Sequence, residues 1–225
     1  MRVSIVVPAL NEEAVIERCL SALAGAEGAK EIVVVDGGST DRTVERARRL
    51  ADRVLTAPRG RGSQMQAGAL AASGDVLWFV HADAIARADS LRAIETALSD
   101  DGVVAGNFRL EFDGPGRSAR QLTAIYPWLR LLGLSYGDAG IFVRRQAYEA
   151  AGGFRPYPLF EDLDLIRRLK RRGRFAHLDC TLAASSRRFE HRNFGVVWAN
   201  WIALQVLFWA GVSPYVLARW YRHIR

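Results

Sequence analysis

The stretch from Gly74 to Ala84, GDVLWFVHADA, places a histidine and an aspartate directly after an apolar run. The run Val76–Val80 has the length and the aromatic and β-branched composition of a buried strand, and His81 and Asp83 follow it at once. Side chains two residues apart in an extended chain point to the same side, so this imidazole and this carboxylate can hold one divalent cation. Oxygen and nitrogen ligands suit Mn²⁺, whereas Mg²⁺ would depend more on Asp83 and water.

The same residues also have an interpretation without a metal. In it, Asp83 caps a helix that begins near Ala88, and His81 is a buried histidine whose ring nitrogens are hydrogen-bonded. For an isolated HAD triplet this is the commoner outcome. The elements around the triplet are needed to decide between the two interpretations.

Short β-rich runs alternate with helix-period segments in the first hundred residues. The predicted strands are Val3–Val7, Glu31–Val35, Val54–Leu55 and Val76–Val80, and the predicted helices are Glu12–Ala24, Thr40–Leu50 and Gln64–Ala72. This alternation predicts βαβ units, and therefore an α/β fold with a mainly parallel sheet flanked by helices.

Polar side chains follow three of these strands at their carboxyl ends. They are Asn11, Glu12 and Glu13 after the first strand, Asp36 after the second, and His81 and Asp83 after the fourth. Ligands bind beyond the carboxyl ends of the strands in such sheets. One of these acids alone could cap a helix, but acids from three strands at one edge favour a ligand site.

The pattern beyond residue 100 is less regular. It predicts strands at Val103–Phe112 and Gly137–Val143, and helices at Arg117–Leu132 and Leu159–Arg172. Pro127 should bend the first of these helices or end one part of it. Because no repeat, linker or low-complexity segment interrupts the chain, residues 1–192 are interpreted as one domain and residues 193–225 as an apolar helical appendage.

The composition limits the function classes. The chain has 225 residues and a net charge of +7 that is carried almost wholly by arginine. Basic surfaces favour phosphate-bearing partners, but the basic residues are scattered and no recognition motif for nucleic acid appears, so no nucleic-acid partner is expected.

Cys19 and Cys180 lie far apart without a CxxC or Cys/His cluster, which predicts reduced thiols in a reducing compartment. The opening MRVSIVVPALNEE predicts a first core strand rather than a signal peptide.

The C-terminal segment is unusually apolar. Residues 194–212 carry no charge, and as a helix they would extend roughly 28 Å, close to the thickness of a bilayer core. Four of the six tryptophans lie between Trp198 and Trp220, and Arg219, Arg222 and Arg225 lie at the end of the same segment. Three interpretations stay open: a helix in the membrane interface, a membrane span, and a helix packed on the domain or in a homo-oligomer interface.

Six short motifs occur in one order along residues 2–192. They are VVPALNEE, VVVDGGSTDRT, GRGSQMQAGALAASGD, FVHADA, GGF and FEDLDLIRRL. Together they closely resemble family 2 glycosyltransferases of the GT-A fold. The HADA form, with the later YGDAG and SSRRFEHR segments, resembles a small bacterial subgroup of that family.

The resemblance implies an inverting, metal-dependent glycosyltransferase that uses a UDP- or GDP-sugar and a hydroxyl acceptor, which a lipid would fit. It implies nucleotide and substrate contacts from Pro8, Ala9, Asn11, Glu12, Asp36, Arg61, Gln64 and Ala82. Asp83 would be the Mn²⁺ or Mg²⁺ ligand of the family's DxD motif. His81 replaces the first aspartate of that motif, which leaves the metal with Asp83, diphosphate oxygens and water.

The resemblance also assigns the chemical step. Asp162 matches the family's general base, which deprotonates the acceptor hydroxyl. Its neighbour Glu161 either raises the proton affinity of Asp162 by like-charge repulsion or faces away; alternatively, Asp162 is a surface acid paired with an arginine on its own helix. Three basic residues either close over the diphosphate or are solvated surface charges: Arg187, Arg188 and His191. His191 is also a candidate to complete the metal shell. Asp138 either binds an acceptor hydroxyl or caps a turn.

Other functions fit the residues less well. A sugar nucleotidyltransferase would want a basic, glycine-rich loop after the first strand, where this chain has the acidic PALNEE, and a dinucleotide oxidoreductase would want GxGxxG there. A membrane-attached sugar-nucleotide-binding protein without catalysis stays open because of His81. The resemblance and the apolar tail together predict a peripheral protein at the cytoplasmic face of the cell membrane.

Overall fold

The computed structural model describes residues 1–114, 117–131, 135–185 and 194–224. The strands are β1 (Val3–Ala9), β2 (Lys30–Asp36), β3 (Arg53–Thr56), β4 (Val76–Phe79), β5 (Val103–Asp113), β6 (Ile141–Arg144) and β7 (Arg174–Ser185). The helices are α1 (Ile16–Gly25), α2 (Thr43–Ala47), α3 (Arg61–Ala71), α4 (Ser90–Leu98), α5 (Arg117–Leu131), α6 (Arg145–Ala150), α7 (Glu161–Leu169), α8 (Phe194–Trp209) and α9 (Pro214–Ile224), with a 3₁₀ helix at Gly137–Ala139.

The strands form one sheet in the order β3-β2-β1-β4-β6-β5-β7. The pairs β1–β2, β2–β3, β1–β4 and β5–β7 are parallel, and only β6 runs against its neighbours β4 and β5. The carboxyl ends of the six parallel strands therefore share one edge with the start of β6. We call this edge, which carries the predicted ligand residues, the active edge.

Both faces of the sheet are covered by helices. Successive residues of a strand point to opposite faces, so Ile5 packs in a core with α1 and α4, while Val6 packs in a second core with α3 and α7. Helix α3 lies so close to the sheet that a Cβ added at Gly68 would collide with Val6 and would lie 2.9 Å from Val35. This close packing fixes where the start of α3 meets the active edge.

The first helix begins later than its periodicity predicts, at Ile16 rather than Glu12. The backbone N–H groups of Asn11, Glu12 and Glu13 instead donate to side chains of the loop after β2, namely Ser39, Thr43 and Asp41. Asn11 also adopts a left-handed conformation, with φ of 55°. The loops after β1 and β2 are therefore one hydrogen-bonded unit at the active edge.

The predicted strand Gly137–Val143 is wrong in its first half. Residues Gly137–Ala139 form the 3₁₀ helix, Gly140 is left-handed with φ of 68°, and β6 starts only at Ile141. Glycines permit this turn, and the buried Ile-Phe-Val run supplies the strand. Helix α6 and strand β7 are additional to the elements that the sequence predicts, and the helix considered near Ala88 is α4, which begins at Ser90. Cys19 and Cys180 are free, as predicted.

The two C-terminal helices contact the domain next to α7. Leu204 and Leu217 are buried in a small core with Leu159 and Phe160. The Phe160 ring lies 5.0 Å from that of Phe208, centroid to centroid. Within the described parts of the chain, no helix has both the length and the apolar character needed to cross a bilayer. The division of the chain at residues 192 and 193 stays a prediction.

Candidate functional site

The loop after β2 is organised around Asp36. Its carboxylate, which is buried, accepts hydrogen bonds from Gly38 N at 2.9 Å, from Ser39 N at 3.0 Å and from the Ser39 hydroxyl at 2.5 Å. The Ser39 hydroxyl also accepts from Asn11 N at 2.9 Å, and the Asn11 side chain accepts from Thr40 N at 2.9 Å. Asp36 and Asn11, both predicted nucleotide ligands, thus belong to one rigid rim.

Gln64 holds the strands below this rim. Its side-chain amide donates to Ala9 O at 2.9 Å and to Val35 O at 2.8 Å, and its side chain is almost fully buried. Pro8 and Ala9 lie opposite Val35 and Asp36 in the β1–β2 register. The Gln64 amide therefore bridges the carboxyl ends of β1 and β2, directly below the two loops.

A chain of charged groups runs from α3 across the active edge. Arg61 Nε lies 2.8 Å from Glu161 Oε1 at the start of α7, and Arg61 also approaches Asp138 Oδ1 at 3.6 Å. The same Asp138 oxygen is 3.5 Å from His81 Nδ1. Arg61, Asp138 and His81 are thus brought together from α3, the 3₁₀ helix and the loop after β4.

Glu161 is the most deeply buried acid of this chain of charges. Burial raises the pKa of the Glu161 carboxyl, and the neighbouring Asp162 adds to the rise, while Arg61 opposes it. The attraction of Glu161 in turn raises the pKa of Arg61. Within the described part of the chain, Glu161 Oε2 is buried without a hydrogen-bond partner. Glu161 therefore does not face away from the site, and it anchors Arg61.

Asp162 is oriented by two backbone N–H groups. Its Oδ2 accepts from Gly137 N at 2.7 Å, and its Oδ1 accepts from Leu163 N at 2.8 Å. The residue before this acid pair, Phe160, is left-handed with φ of 62°, an unusual conformation for a bulky side chain. Such strain persists only where packing enforces it, and here α8 supplies that packing. The Asp162 carboxylate is thereby fixed beside the 3₁₀ helix that carries Asp138.

A cavity of about 120 Å³ opens at the active edge beside these acids. It is lined by His81, Asp83, Phe112, Tyr126, Leu129, Tyr136, Asp138, Ala184, Ser185, Trp198, Trp201, Ile202 and Gln205. The polar end comes from the loop after β4 and the 3₁₀ helix, and the wall from α5, α8 and the ends of β5 and β7. Ala82, between the two predicted metal ligands, is instead buried in the core on the α1 side.

The aromatic wall is a part of the site that sequence reasoning missed. Trp198, Trp201, Ile202 and Gln205 follow the i, i+3, i+4, i+7 spacing of one helix face. That spacing is readable in the sequence, but the tryptophans of this segment are equally typical of a membrane interface.

The donor set for a metal is partial. Asp83 and His81 line the same cavity and offer one carboxylate and one imidazole, and no group of three or more His, Cys, Asp or Glu side chains suited to a metal occurs among the described residues. Helix α4 begins at Ser90, preceded by Asp89, so Asp83 is not its cap. The residues present fit a Mn²⁺ or Mg²⁺ ion whose remaining ligands come from a diphosphate and water. Arg187, Arg188 and His191 lie outside the described residues and stay predictions.

Comparison with protein families matches residues 4–174 to the family described as "Glycosyl transferase family 2". The chain belongs to this family. The resemblance to family 2 glycosyltransferases is thereby confirmed, and the mainly parallel sheet matches GT-A structures. The subgroup with the HADA form stays a prediction. One solved structure, glucosyl-3-phosphoglycerate synthase from Mycobacterium tuberculosis in complex with Mn²⁺, UDP and glucosyl-3-phosphoglycerate, is 26% identical with a TM-score of 0.63, over 82% of this chain and 72% of that one. S. aureus TarS with UDP-GlcNAc, at 20% identity and a TM-score of 0.66 over 87% of this chain and 61% of that one, supports the fold.

Two curated relatives extend the comparison. The probable glycosyltransferase YdaM of Bacillus subtilis (strain 168) is 26% identical over 97% of this chain and 56% of its own length. The beta-monoglucosyldiacylglycerol synthase of Synechocystis sp. is 30% identical over 75% of this chain and 40% of its own length. The family 2 chain described here thus spans about half the length of these relatives.

Proposed function

We propose that the protein is an inverting, metal-dependent glycosyltransferase that moves a sugar from a UDP- or GDP-sugar to a hydroxyl acceptor. The observation that carries this proposal is the placement of Asp162 against Gly137, next to Asp138 and the cavity that Asp83 lines. A candidate base, a candidate metal ligand and a half-open cavity then share one edge of the sheet. The UDP complexes of the two structural relatives support the donor class.

The rim made by Asn11 and Asp36 would receive the nucleotide, and the diphosphate would extend along the active edge to Asp83. When bound, a divalent ion supplies charge neutralisation at the departing diphosphate. Asp83, with His81 beside it, would hold that ion. Arg61 is already bound to Glu161 and Asp138 and would keep these acids in place at the sugar.

The proposed reaction forms one bond and breaks one bond at the anomeric carbon, and it moves one proton. The acceptor oxygen attacks the anomeric carbon from the side opposite the diphosphate, and Asp162 takes the hydroxyl proton. The bond between the anomeric carbon and the diphosphate oxygen breaks, and that oxygen keeps the electron pair. The two hydrogen bonds that Asp162 accepts from backbone N–H groups hold its carboxylate in place for this proton transfer.

The first experiment measures hydrolysis or transfer of UDP- and GDP-sugars, with Mn²⁺ or after its removal by EDTA. Asp162→Asn and Asp83→Asn should each lose at least ~100-fold in kcat/KM. Asp101→Asn is the control, because that side chain is fully exposed and lies at the start of β5, away from the active edge. Undiminished turnover in Asp162→Asn, or in metal-free protein, would refute the roles assigned here.

A second function, sugar-nucleotide binding without catalysis, is favoured by one observation. The first aspartate of the family's metal motif is His81, whose ring faces Asp138 at 3.5 Å. Calorimetry separates the two functions: UDP affinity that is indifferent to Mn²⁺, with no turnover of any nucleotide sugar, would support the binding protein.

We further propose that α8 and α9 attach the protein to the cytoplasmic face of the membrane, where a lipid acceptor would be available. Both helices expose large apolar side chains, among them Val206, Trp209 and Trp220, and one curated relative is named for a diacylglycerol product. Flotation with anionic liposomes should carry the wild type, and Val206→Ser/Trp209→Ser should reduce the bound fraction. A dimer in light scattering, with no liposome binding, would assign this face to a homo-oligomer instead.

A further inference from the structure

Gln205 is the most unusual residue of the cavity wall. Helix α8 is otherwise apolar on the face toward the protein, yet Gln205 is 6% exposed and lines the cavity. Its Oε1 accepts a hydrogen bond from the Tyr136 hydroxyl at 2.9 Å, and Nε2 is buried with no hydrogen-bond partner in the described part of the chain. Buried amide groups are nearly always hydrogen-bonded, so an orphaned one requires an explanation.

A bound ligand supplies that explanation. Tyr136 fixes one end of the amide, so the other end is held in one orientation within a cavity wall. An apolar residue of the same volume would cost nothing in unmade hydrogen bonds, and the rest of α8 shows that such residues are tolerated there. The polar end of the cavity, with Asp83, Asp138 and His81, lies in the same enclosure.

The surroundings of Gln205 define the chemistry of the ligand. Trp198, Trp201 and Ile202 come from the same helix face, and Tyr126 and Phe112 come from across the cavity. Aromatic walls of this kind bind carbon skeletons and the C–H faces of rings. Two carboxylates, Asp83 and Asp138, line the described cavity, and in the absence of a bound cation they disfavour an anionic ligand. The volume is several times the ~10–15 Å³ that admits one water molecule.

We propose that Gln205, held by Tyr136, hydrogen-bonds a hydroxyl group of an uncharged acceptor whose apolar skeleton packs against the aromatic wall of α8. That the ligand is the acceptor rests on the proposed function, but the binding site itself does not. The proposal makes Gln205 a specificity-determining residue that lies outside residues 4–174, the part matched to the family. The same chemistry is offered by a sugar ring and by a lipid alcohol.

The test measures ligand binding without turnover. Trp198 and Trp201 line the cavity, so tryptophan fluorescence should report a titration with n-octyl β-glucoside below its micelle concentration. Methyl β-glucoside and 1-octanol are the two comparison probes, and 3-phosphoglycerate is the anionic one. Tighter binding of methyl glucoside identifies the ring as the recognised part, and tighter binding of octanol identifies a lipid alcohol.

Two variants test the hydrogen bond. Gln205→Met keeps the volume and removes the amide, and should raise the Kd of the preferred alcohol about tenfold, the equivalent of one hydrogen bond. Tyr136→Phe keeps Gln205 but frees its orientation, and should raise that Kd by a smaller factor. Asn200→Leu is the control, because Asn200 lies on the same helix but does not line the cavity. All three variants should bind UDP like the wild type.

The outcomes separate this inference from the proposed function. A folded Gln205→Met that binds the alcohol as the wild type does would overturn it, as would a wild type that binds none of the uncharged probes or prefers 3-phosphoglycerate. If Gln205→Met does not fold, an unchanged Kd in Tyr136→Phe would overturn it in the same way. Alcohol binding that depends on Gln205, in a protein without turnover of any nucleotide sugar, would support the site and refute the glycosyltransferase.

Discussion

Replacing Gly137 by alanine should disturb Asp162 directly. A Cβ added to Gly137 would lie 2.8 Å from Asp162 Cβ and 2.9 Å from Asp162 Oδ2. Carbon atoms pack at about 3.5–4.0 Å, so the two residues must separate by roughly 0.7 Å or more. That displacement also stretches the 2.7 Å hydrogen bond from Gly137 N to Oδ2.

The expected losses of stability and of rate follow from the stretched hydrogen bond and from the displacement of Asp162. A hydrogen bond to a charged group contributes about 1.5–3 kcal/mol to stability, which corresponds to a Tm lower by about 3–12 °C for a chain of this size. A misplacement of about 1 Å at a reacting group can cost on the order of 100-fold in rate. We therefore expect kcat to fall by about 10–100-fold while the affinity for UDP is kept.

The assay is kcat at saturating nucleotide sugar and acceptor, with Tm and the Kd of UDP measured on the same preparations. Gly25→Ala is the matched control, because nothing lies within 4 Å of a Cβ there. A folded Gly137→Ala enzyme with kcat within about twofold of the wild type would show that the position of Asp162 does not limit the reaction. An equal loss in Gly25→Ala would attribute the effect to general destabilisation.

Three other changes give distinct results. Gln64→Leu removes two hydrogen bonds to buried carbonyls, one of which, Ala9 O, keeps the bond from Gly37 N. The free energy of unfolding should fall by about 1–3 kcal/mol in urea titrations; a loss below about 0.5 kcal/mol would contradict the bridging role. Phe160→Gly should be more stable than Phe160→Ala by about 1 kcal/mol, the reverse of the usual order, because glycine adopts φ of 62° without strain; the same urea titrations test this order. Burial, and secondarily nearby cations, lower the pKa of His177 from 6.5 to about 4, so the unfolded chain binds more protons between these values. The His177 side chain is more than a third exposed, so solvent screening reduces the effect, and stability should fall by on the order of 1 kcal/mol as the pH drops from 6.5 to 4. His177→Gln should lose that part of the pH dependence; an unchanged profile would exclude His177 as its source.

The sequence predicted the half of the sheet whose strands are continuous apolar runs. Strands β1, β2 and β4 are buried on both faces, so their signal is local and strong. Strand β7 was missed because it lies at the edge of the sheet and mixes half-exposed polar residues such as His177 with apolar ones. Its pairing with β5 is a long-range contact that periodicity does not encode.

The sequence also located some residues of the candidate site and missed others. Asn11, Asp36 and Asp83 were placed correctly at the active edge because strand ends alone locate them. The partners of Asp138 could not be read, because they depend on a turn whose glycines looked like part of a strand. The Trp198 face of α8 was visible as a pattern, but only the tertiary packing shows that it faces a cavity.

The reversed strand β6 has a consequence for how this scaffold can change. Because β5 ends and β6 begins at the active edge, the connection between Gly114 and Gly140 leaves the sheet and returns to it on the same side. Residues can be added to or removed from that connection without altering the register of any strand. Lengthening it would reshape the mouth of the cavity while the nucleotide rim is preserved, so relatives could exchange acceptors by varying this one segment.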